Sequence, residues 1–145
     1  MRARLVALML MIGSQAGAEC GKLCDWNWWI TATEADVQAE LDGGPDVMAR
    51  DAVGNTPLHK AGSAEAMQLL LAAGADVMAR DVSGSTPLHW AALHDAPASI
   101  QALLAAGADA KAKDKDGETP WALAQENEKL KGTKAYWALN DAQYN

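Results

Sequence analysis

Two cysteines and three histidines are the side chains of this 145-residue chain best suited to redox or metal chemistry, and their spacing limits what they can do. Cys20 and Cys24 have three residues between them. A thioredoxin-like pair is C-x-x-C, and no histidine stands near in sequence to complete a metal site. In an oxidising compartment the pair is expected to close a short-loop disulfide that pins this end of the chain. Two free, reactive thiols would instead favour a redox role, which a thiol titration would reveal. His59 and His89 each follow a threonine by three residues, Thr56 and Thr86, so each ring can reach the start of its own helix. A structural part is expected of both, and a surface position of His94. Ser63, Ser83, Ser85 and Ser99 lack the G-x-S-x-G setting of an activated nucleophile. Asp51, Asp81 and Asp114 open turn-rich segments, where a carboxylate accepts local backbone hydrogen bonds. Gly54, Gly84 and Gly117 read as turn glycines outside any phosphate-cradling loop. No enzyme, cofactor or metal site follows from these residues.

The elements that would position them are helical. Half the residues are apolar, mostly Ala, Leu, Met and Val, and there is no Phe. Such a core suits closely packed helices better than a sandwich of aromatic and β-branched strands. Twelve basic against nineteen acidic residues give a net charge of −7. Nucleic acid and anionic lipid are not drawn to that surface, and the Lys111, Lys113, Lys115 run reads as a solvated loop.

Residues 1–18, "MRARLVALMLMIGSQAGA", have a basic start, an apolar stretch from Leu5 to Ile12 and small residues at Ala16 and Ala18. That is the pattern of a secretory signal peptide, too short to span a bilayer comfortably. An exported, periplasmic or secreted product is expected, with no membrane attachment after the signal is removed.

The rest of the chain repeats itself. "DAVGNTPLHKA" starts at Asp51, "DVSGSTPLHWA" at Asp81 and "DKDGETPWALA" at Asp114, each preceded by a second shared phrase, "GGPDVMAR", "AGADVMAR" or "AGADAKAK". In one unit, Thr86 caps a helix whose first position accepts Pro87, and Leu88, Ala91 and Ala92 share a face. Asp95 and Pro97 restart the chain as a second helix striped by Ile100, Leu103 and Leu104, and Gly107 ends it. A unit of this size cannot bury its own apolar face, so units must stack.

The phrase D-x-x-G-x-T-P-L-H-x-A-A, followed by a leucine pair and G-A-D, resembles the ankyrin-repeat family. The resemblance implies an all-α repeat solenoid, helix-turn-helix pairs with projecting β-hairpin-like loops, over residues 31–142. Units fall at about 31–50, 51–80, 81–113 and 114–142. A Trp-rich cap, 19–30, lies before them, with Trp26, Trp28 and Trp29 as a lid; residues 143–145 form a frayed tail. In the last unit a second helix is expected near 129–139, sealed by Tyr136 and Trp137. The resemblance also implies that His59 and His89 tie neighbouring loops, and that a partner protein docks on the concave face.

Positions between the fixed motif residues are the binding candidates: Val53, Asn55 and Lys60 in the second unit; Val82, Ser83, Ser85, Trp90, Leu93 and His94 in the third; Lys115 and Glu118 in the fourth. Trp90 is the expected anchor, since tryptophan is enriched at interface hot spots. Alternatively, its indole folds onto Lys60 or the loop stem. From Thr56 to Gly74 is three residues shorter than from Thr86 to Gly107, which is expected to shorten the inter-helix turn or the second helix's start. The function expected is a monomeric, exported adaptor without catalysis. The alternatives are a redox, small-ligand or metal-binding periplasmic protein, or one serving oxidative-stress protection or toxin immunity.

Overall fold

The computed structural model describes residues 21–94 and 96–145. After a 3₁₀ turn at Gly21–Cys24 come eight helices: α1 Trp26–Thr31, α2 Glu34–Asp42, α3 Pro57–Lys60, α4 Ala64–Ala72, α5 Pro87–Leu93, α6 Pro97–Ala105, α7 Pro120–Glu126 and α8 Lys134–Tyr144. Three pairs form, α3/α4, α5/α6 and α7/α8, and ahead of them the 3₁₀ turn packs against α1, α2 and α3. First helices pack on first helices and second on second, α3 on α5 on α7 and α2 on α4 on α6 on α8. The result is an all-α solenoid of stacked helix pairs.

Local chemistry starts the helices. Pro87 and Pro120 take the first helical position after Thr86 and Thr119, and Thr133 accepts from the Tyr136 N–H. Thr33 and Asp36 form a reciprocal capping box at the start of α2. The Asp36 carboxyl is held below its ordinary range by the Thr33 side-chain and backbone hydrogen bonds. Apolar stripes then meet between units: Leu58, Met67, Leu70, Leu88, Ile100, Leu103 and Leu139 are all fully buried. Each such side chain contributes about 1.5–3 kcal/mol.

The loops stack with equal regularity. Asp81 Oδ1 accepts from the backbone N–H groups of Ser83 and Ser85, as Asp51 and Asp114 do in their own turns. Successive tips are joined by Val82 N–H to the Val53 carbonyl at 3.1 Å and Lys115 N–H to the Ser83 carbonyl at 3.0 Å. Gly54 and Gly84 serve twice, since both have positive φ and an added Cβ would press on the backbone of the next tip. Gly117, with no such tip beside it, needs only the turn conformation. Arg80 donates to the Gly84 and Lys113 carbonyls, and Arg50 to those of Gly54 and Arg80.

Three expectations need correction. The three residues missing from the second unit come from its first helix: α3 has four residues where α5 has seven, while α4 keeps the nine of α6. At the other end α8 runs to Tyr144, so no frayed tail follows Asp141, and its start lies beyond the expected 129. Residues 127–133 are an extended turn that moves the helix out of the expected register. Ala135 and Leu139 therefore face the core, and Trp137 is exposed. Trp26 is not part of a lid on the first interface, because it reaches the first-helix face of the second and third units. Cys24 is not a free thiol but is disulfide-bonded; Cys20 lies outside the described residues, as does the whole of segment 1–18. Described contacts that hold this end are the fully buried Leu23, the Trp29 indole N–H on the Leu23 carbonyl, and the Lys60 ammonium on the Cys24 carbonyl.

Candidate functional site

The face built by the first helices and loop tips carries three hollows that merge into one groove. The first, about 250 Å³, lies between Trp26, Met67, Trp90 and His94 over His59 and Lys60. The second, about 180 Å³, shares Trp90 and is edged by Asp81, Ser83 and Ser85. The third, about 410 Å³, shares Leu93 and Leu123 with the second and ends among Glu126, Asn127, Glu128 and Lys129.

One register relation governs the middle of this groove. In the second and third units the residue nine after the loop aspartate stands beside that aspartate's second carboxylate oxygen. Trp90 Nε1–H donates to Asp81 Oδ2 at 2.8 Å, and Lys60 Nζ sits 2.6 Å from Asp51 Oδ2. In the fourth unit the equivalent residue is Leu123, which has no donor, and the carboxylates of Asp114, Asp116 and Glu118 gather at that tip within 4.8 Å. Sequence reasoning missed this relation, although the nine-residue spacing is present in all three copies.

Lys60 is consequently not a surface residue. Its side chain is 1 % exposed, held by Asp51 and by the Cys24 carbonyl at 2.6 Å, and it lies 4.9 Å from the centre of the Trp26 ring. Burial pushes the Asp51 carboxyl upward, but Lys60 and the Asn55 and Val53 N–H groups outweigh it and hold the group below its ordinary range. Asn55 is also inside, fully buried, with no hydrogen-bond partner for its side-chain amide. Both drop out as docking residues.

Trp90 is half-buried in a ring stack. Trp26 lies 5.4 Å from it at 31° and His94 5.0 Å at 22°, with the His59 ring edge-on at 6.5 Å. Its indole forms a wall of the groove and does not project as a free anchor. Of the remaining expected residues, Leu93 (55 % exposed), Val53, Val82, Ser83, His94 and Lys115 are exposed, while Ser85 and Glu118 are half-buried. Leu93, His94, Ser83, Ser85 and Trp90 line the groove; Val53, Val82 and Lys115 belong to the loop tips beside it. Trp26 and Leu123 complete the lining without having been expected there.

His59 and His89 are bolted in place. Nδ1 of His59 accepts from the Thr56 backbone N–H at 3.1 Å, and Nε2–H donates to the Ser85 carbonyl of the next unit at 3.0 Å. His89 repeats this with Thr86 and the Glu118 carbonyl at 2.9 Å. A backbone N–H only donates and a carbonyl only accepts, so both rings are neutral with the proton on Nε2. Neither ring nitrogen is left for a metal or a general base.

The T-P-L-H ties, the stacked pairs and the loop ladder recur at the same positions in successive units, and the family model for ankyrin repeats, three copies, matches residues 30–114. The chain belongs to the ankyrin-repeat family. No curated protein matches it. The helix pair α7/α8 lies past the matched stretch and continues the ankyrin stack. The general role of this ankyrin-repeat chain is the one typical of the fold, protein–protein interaction. Among the described residues no helix is long and apolar enough to cross a membrane.

Proposed function

We propose that the chain is an exported scaffold that holds a partner protein, non-covalently and as a monomer, along the groove of its first helices. The observation that carries this reading is the groove itself, with Leu93 projecting at its centre at 55 % exposure between half-buried aromatic and leucine walls. A partner that covers the groove buries the Leu93 side chain, and a carboxylate placed there would have to be desolvated without a partner. Leu93→Asp is expected to lower recovery of the native partner by about tenfold or more. Gln101→Asp, on the exposed side of α6, is expected to leave it unchanged. Equal losses from both substitutions, or from neither, would sink the assignment of this face.

Export rests on the signal pattern of residues 1–18. Intact-mass measurement of the secreted or periplasmic protein is expected to give a chain that begins at Glu19. A full-length chain confined to the cytoplasm would overturn that part alone.

A further inference from the structure

The lost turn of α3 leaves a space. Where α5 runs two turns to Leu93, α3 stops at Lys60, and Ala61 and Gly62 drop directly to the Ser63 cap of α4. The 250 Å³ hollow lies at that place, walled by the Trp26 and Trp90 indoles, the His94 ring and Met67. On its floor Lys60 is occupied by Asp51 and the Cys24 carbonyl, and both ring nitrogens of His59 are bonded. The hollow is smaller than the roughly 300–1,000 Å³ of small-molecule pockets. Its size and lining suit one large apolar side chain.

Charge indicates what accompanies that side chain. Asp81, Glu126 and Glu128 line the groove beyond the hollow together with one cation, Lys129, and Asp114, Asp116 and Glu118 crowd the tip beside it. Lys60 is paired with Asp51 and Lys131 with Glu128, so the acidic character of the groove rests on Asp81, Glu126 and the carboxylates of the fourth tip. The chain as a whole carries −7, so a second copy is repelled and a basic segment attracted.

We propose that the notch left by the short α3 is an anchor pocket for a single Leu, Met, Phe or Trp side chain of the partner, presented by a segment whose flanking Lys or Arg residues lie along the acidic groove toward the fourth unit. The proposal rests on the groove reading above and adds the register and chemistry of the occupant. Only the second unit has this notch, so the anchor fixes where along the stack the segment begins.

The probe is a displayed library of short random peptides selected against the full chain, with enriched sequences synthesised, labelled and titrated by fluorescence anisotropy. Enriched peptides are expected to share one bulky apolar residue with basic residues on one side of it. Gly62 supplies the plug: it lines the hollow, its φ is not positive, and an added Cβ meets nothing within 4 Å. Gly62→Phe, or Gly62→Leu should the larger residue disturb folding, is expected to weaken these peptides about tenfold or more with little change in melting temperature. Glu126→Lys is expected to weaken them less and to flatten their salt dependence. Peptides indifferent to the plugs but weakened by Leu93→Asp would overturn the notch and keep the groove. Peptides indifferent to all three would overturn both. No enrichment, or enrichment without the basic-apolar pattern, would overturn the notch alone.

Discussion

Lys60→Ala is expected to lower stability by about 3–5 kcal/mol, the cost of removing one partner from a buried ion pair. The ammonium lies 2.6 Å from Asp51 Oδ2 and 2.6 Å from the Cys24 carbonyl, over the Trp26 ring, with 1 % of its side chain exposed. Alanine leaves that carbonyl unpaired, strips Trp26 of its cation and opens a void beneath the aromatic walls. Asp51 loses the strongest of the groups that hold its carboxyl low. Its remaining acceptor bonds, to the Val53 and Asn55 N–H groups, still shape the turn. Lys60→Met keeps most of the apolar stem, and the cost is expected to fall when it is combined with Asp51→Asn, because no charge is then left alone. Urea denaturation of the four proteins closes the cycle. Hydrogen exchange should show residues 21–31 opening first in Lys60→Ala, since Lys60 fastens that segment to the second unit. A loss below about 1 kcal/mol would place the pair among ordinary surface ion pairs and remove its role as a fastening.

The same residue shows where sequence reading ran out. The position after T-P-L-H is variable within the repeat, and variability there reads as exposure. It gives no sign that Trp26, 34 residues earlier, covers one such position and stacks on the next. What was legible was whatever the repeat enforces copy by copy: the threonine and proline starts, the loop aspartates and glycines, the two tethering histidines. The lost residues of the second unit were visible as a count. Their place on α3 was not, because α4 needs its full apolar stripe to pack on α2 and α6, whereas α3 can shorten without baring core. At the far end the 33-residue count failed for a similar reason. The extended turn at 127–133, anchored by the Asn127 amide on the Ala92 carbonyl at 2.9 Å, breaks the period that the count assumed. Arg50 and Arg80 recur in the phrase M-A-R, and that recurrence was the available signal for their bonds between loops.

Stability should fall as the solution is acidified from neutrality, well before the carboxylates titrate. Burial lowers the pKa of both His59 and His89. The carbonyl bonds and nearby Asp51, Asp81 and Asp114 act the other way, and Arg50 and Arg80 add to the lowering. A proton on Nδ1 would face the backbone N–H of Thr56 or Thr86, which cannot turn to accept it. For a base whose folded pKa is depressed, the unfolded chain binds more protons between the folded value and about 6.5. The contribution of each ring is therefore complete above about pH 6.5 and declines below it, down to the folded pKa. Two rings give a slope of up to roughly 2.7 kcal/mol per pH unit inside that window. Asp36 and Asp51, with pKa values lowered from 3.8, also lose stability on acidification, but only at lower pH. His89→Gln should halve the slope just below pH 6.5. At pH 7.5 it should also cost about 1–3 kcal/mol, because the Thr86 N–H and the Glu118 carbonyl lose their partner. Urea midpoints that stay level from pH 7.5 to 5, in the wild type as in the variant, would mean that the rings accept the second proton without breaking the ties. The loops of successive units would then be held together by the Arg50 and Arg80 bridges and the tip-to-tip bonds alone.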